Sequence, residues 1–193
     1  MGYTDEEIIK LMNAHKTGVS GSIEDGFVVK EEKIIFKEVL LFEDKMQIML
    51  PENFEDMSVE AAKIKYPMEQ RPAIIKTNKD GDINFTFNLL EQPLDNSQVE
   101  DVVNMLRNVL KKTNPSNKCG NVNLECVDNK NVAWFDVVNN GLDHNIFHIM
   151  YVLPINQKLM HGVFNCIVED SNNWKQIALE VIRSIKENED DKK

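Results

Sequence analysis

His144 and His148 stand four residues apart, the spacing at which two imidazoles on a helix can grip one zinc ion. The run that contains His148, "NIFHIMYVL", is rich in apolar, β-branched and aromatic residues and reads as a strand. Strand positions i and i+4 lie about 13 Å apart, so the two histidines share a face but cannot share a metal. His161 falls on the next strand. A hairpin centred on Asn156 puts it opposite Tyr151, on the face that His148 does not use. Each is expected to be a sheet histidine that finds a hydrogen bond, and no metal is expected.

The three cysteines, Cys119, Cys126 and Cys166, are an odd number without a C-x-x-C pair, which suits a reducing compartment better than a disulfide framework. Cys166 lies in an apolar run and reads as core filler. Cys119 neighbours Lys118, which lowers a thiol pKa when close, but no ordered Cys-His-Asp set accompanies it. "GVSGS" at 18–22 lacks the G-x-S-x-G order of a nucleophile elbow and reads as linker. The 32 Asp and Glu residues fall in turns, caps and the tail. No pair sits in apolar surroundings that would raise a carboxyl pKa toward acid catalysis.

Asn78-Lys79-Asp80-Gly81-Asp82 has the composition of a cation or phosphate loop. With Gly81 on the glycine of an EF-hand loop, Lys76 takes the first ligand position and Phe87 the last, and neither can bind calcium. A P-loop needs a second glycine and a G-K-[ST] end. Between "AIIKT" and "INFTF" the segment reads as a hairpin turn, with Gly81 supplying a positive φ.

These residues must be positioned by a chain of 193 residues with net charge -10. That length buries roughly 70% of the unfolded surface without staples. The negative field repels phosphate backbones, and the lysines form no patch, so no nucleic-acid partner is expected. No run approaches the roughly 18 apolar residues of a membrane span, so no membrane insertion is expected. Gly2 invites myristoylation, but Glu6 stands where the motif needs Ser or Thr. The expected localisation is cytoplasmic.

Thr4 and Glu7 form a capping box ahead of Ile8, Leu11 and Met12, which predicts an amphipathic helix over 5–15. "KTGVSGSIEDG" follows as a connector. "FVV", "KIIFKEVLLF" and "MQIML" read as strands, and Pro51 ends the last. Ser58 caps a short helix, "VEAAKIKY", closed by Pro67. Val99, Val102, Val103, Leu106, Val109 and Leu110 make a helical stripe with Asp95 or Asn96 as cap. "VNLECV", "VAWFDVV", "NIFHIMYVL" and "KLMHGVFNCIV" form an antiparallel meander. A last helix over 172–187 carries Trp174, Ile177, Ala178, Val181, Ile182 and Ile185 on one stripe, and "KENEDDKK" reads as a frayed tail. Both faces of "NIFHIMYVL" are largely apolar, so helices must cover both. The fold class is α+β: a three-layer α/β/α sandwich with a central, mainly antiparallel sheet. The expected organisation is an arm and linker over 1–25, the sandwich over 26–187 and a disordered tail over 188–193.

From residue 38 to 187 this element order resembles the superfamily of the PsbP photosystem subunit, the bacterial DcrB-like proteins and the nuclear Ran-release factor. "MQIMLPENFEDMS" is similar to its opening strand, "AIIKTNKDGDINFTF" to its central hairpin and the Trp174-to-Ile185 helix to its closing helix. The resemblance implies a fold that binds proteins and rarely catalyses, with adaptors or chaperones among bacterial members. A non-enzymatic protein-binding module without cofactors is therefore expected. The alternative is a small-ligand protein or enzyme whose site is assembled from distant residues.

"MSVEAAKIKYPMEQRPAII" is the expected partner surface. Pro67 and Pro72 hold their neighbours extended and remove two backbone donors. Met57, Tyr66 and Met68 supply adaptable and aromatic contact, and Arg71 supplies a fork for oxygens.

Overall fold

The structure, a computed structural model, describes residues 19–188 except Met68, Gln70 and Leu142. The helix expected over 5–15 lies outside these residues, as do Met68 and the tail from 189 onward.

The largest sheet has eight strands, seven of them in the order β10-β11-β12-β13-β8-β7-β6, with β9 also pairing β11. They are β6 (Glu55–Asp56), β7 (Ile74–Thr77), β8 (Asn84–Pro93), β9 (Lys118–Cys119), β10 (Asn123–Val127), β11 (Lys130–Asn140), β12 (Asn145–Ile155) and β13 (Lys158–Ile167). Every pairing is antiparallel. Turn chemistry sets the meander. Asp128-Asn129 and Asn156-Gln157 both take positive φ, the twist that two-residue hairpins need.

Alternation separates two cores. Phe147, Ile149, Tyr151, Leu153 and Ile155 pack with Trp174, Ile177, Ala178, Val181 and Ile182 of α3 (Ser171–Arg183). Phe135, Val137, Val152 and Leu159 pack with Val99 and Val103 of α2 (Val99–Thr113). Asp95 and Gln98 form a capping box just before α2. Trp174 is 7% exposed, with ring centroids 5.8 Å from Phe54 and 6.3 Å from Phe164.

Four sequence expectations need correction. "KIIFKEVLLF" is two strands, because Ile35 turns outward and is 53% exposed. β3 (Glu32–Ile34) joins β1 (Ser20–Ser22) and β2 (Gly26–Val29), whereas β4 (Phe36–Leu41) joins β5 (Met46–Pro51) and β14 (Lys186–Glu187). These sheets are separate from the large one. The supposed connector is a hairpin from β1 onward, with Val19 buried. Its glycines serve close approach: Gly21 and Gly26 have φ of 127° and 88°, and a side chain on Gly21 would strike the Gly26 carbonyl. The start of the supposed tail is held, since β14 pairs β5 and the Asn188 amide donates to the Lys45 carbonyl at 3.0 Å. Finally, the β12–β13 turn is the two residues Asn156-Gln157, so His161 faces Val152 and Gly162 faces Tyr151. Partners across a ladder share a face, and His161 is therefore on the same face as His148.

Candidate functional site

One line across the large sheet runs Val137, His148, Asn165, Asn84, Thr77, each the ladder partner of the next. Adjacent strands are about 4.8 Å apart, so the polar side chains of His148, Asn165, Asn84 and Thr77 stand side by side on the sheet face that also carries His161 and Thr86. Asn84 is 0% exposed and Asn165 4%. Such groups are costly unless bonded. Asn84 Nδ2 donates to Asn165 Oδ1 at 3.0 Å, and Asn165 Nδ2 donates to the Tyr66 hydroxyl at 3.3 Å. His148 Nε2 lies 2.7 Å from Asn139 Oδ1. That oxygen only accepts, so Nε2 carries the proton. Nδ1 is left as a buried acceptor without a partner among the described residues, as is Asn84 Oδ1.

Burial, aided by the nearby Lys65 ammonium, pushes the His148 pKa down to about 4. Burial also lowers that of His161, whose Nε2 is likewise unpartnered among the described residues. Both imidazoles are neutral near pH 7. No hydroxyl or thiol is hydrogen-bonded to either ring among the described residues, so neither imidazole is paired with a nucleophile there. No group of His, Cys, Asp and Glu among the described residues could hold a metal ion.

Above this row lies α1 (Val59–Lys65). It starts as its sequence predicts: Ser58 Oγ accepts from the Ala61 amide at 3.2 Å. None of its residues is buried, and Val59 and Ile64 are 63% and 83% exposed. Polar clamps hold it instead. The Met57 amide donates to the Ile75 carbonyl at 2.9 Å. Lys65 Nζ donates to the Gly81 carbonyl at 2.5 Å. Tyr66 is fixed at both ends, since its hydroxyl accepts from Asn165 and its carbonyl accepts from Arg71 Nε at 2.9 Å. Burial lowers the Lys65 pKa, with Asp82 opposing, and raises that of Tyr66, with Asn165 opposing.

The structure thus brings Tyr66 and Arg71 together. It also sets Met57 with Arg71 on the wall of a groove of about 350 Å³, beside Val59, Ala62, Lys63 and Ile74. Met68 lies outside the described residues. Sequence reasoning missed Lys65, Asn84, Asn165, Val59 and Ile64. The asparagines carry no local signal, because only the ladder aligns them. The turn at 78–82 is a turn: Asn78 Oδ1 accepts from the Asp82 and Ile83 amides at 3.1 and 3.0 Å, and Gly81 has φ 76°. It separates two further hollows. One of about 760 Å³ lies against Ser58 and Ala61, and one of about 390 Å³ has Val29, Phe54 and Trp174 in its wall.

No family model matches the sequence, and no curated protein does. Solved structures match the fold. PsbP (CyanoP) of Synechocystis aligns with a TM-score of 0.57 at 11% identity, over 83% of this chain and 96% of its own. The Ran-binding protein Mog1p of Saccharomyces cerevisiae aligns with a TM-score of 0.52 at 13% identity, over 80% of this chain and 96% of its own. A Bacteroides thetaiotaomicron structure aligns with a TM-score of 0.53 at 13% identity, over 81% of this chain and 50% of its own. A sheet of antiparallel strands with Trp174 of α3 packed on it thus occurs in this chain in the fold of PsbP and Mog1p.

Proposed function

We propose that this chain is a non-enzymatic protein-binding module of adaptor or chaperone type, built as a three-layer α/β/α sandwich, with α1 and residues 66–75 as its docking surface. One observation carries the reading: α1 buries none of its own side chains and turns Val59 and Ile64 outward. A helix that contributes nothing to a core and is fixed at its ends by hydrogen bonds is a presented surface. The likeness in fold to Mog1p, described as Ran-binding, supports a protein partner, and so does the absence of a nucleophile-base pair at the row. The unpaired Cys119, Cys126 and Cys166 support a reducing, cytoplasmic setting. No helix among the described residues is long and apolar enough to cross a membrane, and the net charge of -10 argues against nucleic acid.

The test is capture from lysate with wild type, Arg71→Ala, Met68→Ala and Ile64→Asp, beside their unfolding midpoints. Stability is expected to stay within about 1 kcal/mol while the captured proteins are lost. Identical capture by all four, or none by wild type, sinks the reading.

A further inference from the structure

The groove beside α1 runs against the charge of the chain around it. Apolar Met57, Val59, Ala62 and Ile74 share its wall with two cations, Lys63 and Arg71. Its one carboxylate among the described residues, Asp56, is already held by Lys76 at 2.8 Å. Neither Lys63 nor Arg71 has a carboxylate partner among the described residues. Val59 and Lys63 stand four residues apart on one side of α1, so the apolar and cationic parts of the wall adjoin. The volume of about 350 Å³ lies near the lower bound of ligand clefts, about 300–1,000 Å³, and holds a few side chains.

Arg71 is held ready rather than loose. Its Nε donates to the Tyr66 carbonyl at 2.9 Å, and the Tyr66 hydroxyl is tied to Asn165 of β13 at 3.3 Å. The guanidinium is thus fixed from one side, and its Nη groups have no partner among the described residues. A planar fork held in this way gives up less freedom on binding and can meet a carboxylate through two parallel N–H bonds. Range decides between these two cations and the net charge of -10. At physiological salt a charge is screened beyond about 8 Å, so a carboxylate in the groove is governed by Lys63 and Arg71. A nucleic acid, whose phosphates run on past the groove, meets the acidic surface and is repelled.

We propose that the groove beside α1 takes a linear segment of a partner protein in which an acidic side chain stands next to an apolar one. The carboxylate meets Arg71 and Lys63, and the apolar side chain packs against Met57, Val59, Ala62 and Ile74. The inference rests on the docking reading of α1 and residues 66–75, and it names what that surface recognises.

Titration of the full chain with a short, end-blocked peptide of alternating leucine and glutamate tests it, followed by the amide shifts of the protein. Saturable binding is expected, with the shifts confined to 57–63 and 71–75. Lys63→Glu/Arg71→Glu should weaken that peptide at least about tenfold and should accept its lysine counterpart, which wild type refuses. Val59→Asp should also weaken the glutamate peptide, and since Val59 is 63% exposed the fold should not suffer. Equal binding of a glutamine counterpart overturns the proposal, because the cations then recognise nothing. So does binding that requires phosphoserine in place of glutamate or a free α-carboxylate, and so does the failure of every peptide. Capture from lysate keeps the two readings apart. If no peptide binds but Ile64→Asp still abolishes capture, the acidic segment is wrong and the docking surface stands. If no peptide binds and capture is indifferent to Ile64→Asp, both readings fall.

Discussion

Gly162 of β13 faces Tyr151 of β12 across the ladder, and the space a side chain at Gly162 would need is filled by the Tyr151 ring. Tyr151 is 0% exposed and cannot swing away. Gly162→Ala is therefore expected to cost about 1–3 kcal/mol through overpacking, read as a lower urea midpoint at unchanged slope. In a Tyr151→Leu background the same change should cost much less. Equal penalties in both backgrounds would mean that the ring is not the obstacle.

Trp174 closes an aromatic stack with Phe54 and Phe164. Trp174→Ala should lose about 3–5 kcal/mol. A calorimetric loss under about 1 kcal/mol would show that α3 does not depend on this ring.

Acidification should weaken the fold well before the carboxylates titrate. The ordinary imidazole value of 6.5 falls to about 4 for His148 in the folded chain. The unfolded state thus takes up the proton first, so stability is complete above about pH 6.5 and declines as pH falls toward 4. His161, also lowered, adds in the same direction. The groups facing His148 are Asn139 of β11, Asn165 of β13 and Lys65 of α1, and none is a carboxylate that would offset the proton. Chemical denaturation of wild type at pH 7 and pH 5 should differ, and His148→Gln should remove most of that difference. An equal difference in the variant would place the titrating group elsewhere.

Tyr66→Phe removes the hydroxyl that joins α1 to Asn165. Global stability should fall by about 1 kcal/mol or less, but amides of 59–66 should exchange faster while those of β12 keep their rates. A uniform change across the chain would deny α1 its local attachment.

Much of the framework could be read from residue order, because its signals are local. Asp95 announces α2, Ser58 announces α1, and Asn78 with Gly81 announces the β7–β8 turn. The misreadings have physical reasons. Nothing in "KIIFKEVLLF" marks Ile35 as the point where a strand leaves one sheet for another, since an isoleucine suits either. Gly21 reads as flexible in sequence, but its lack of a side chain serves a close approach. A hairpin centred on Asn156 and one that turns through Asn156-Gln157 differ by one residue of register, and a single-residue slip moves His161 to the other face. The polar row could not be read at all, because Asn84 and Asn165 stand 81 residues apart and only the ladder makes them neighbours.

That same separation shapes how the chain acquires its fold. β10 to β13 pair with sequence neighbours, so the meander closes short loops. β8 must instead find β13 across α2 and the meander itself. Loop-closure entropy rises only slowly with length, but the pairing raises the contact order, which places folding in the slow range typical of sheet proteins. Until β8 is in place, the edge of β13 from Leu159 to Asn165 offers bare amides and carbonyls beside Phe164. Refolding yield should therefore fall with protein concentration more steeply than native-state solubility does, and a substitution that weakens the β7–β8 turn at Gly81 should steepen it further.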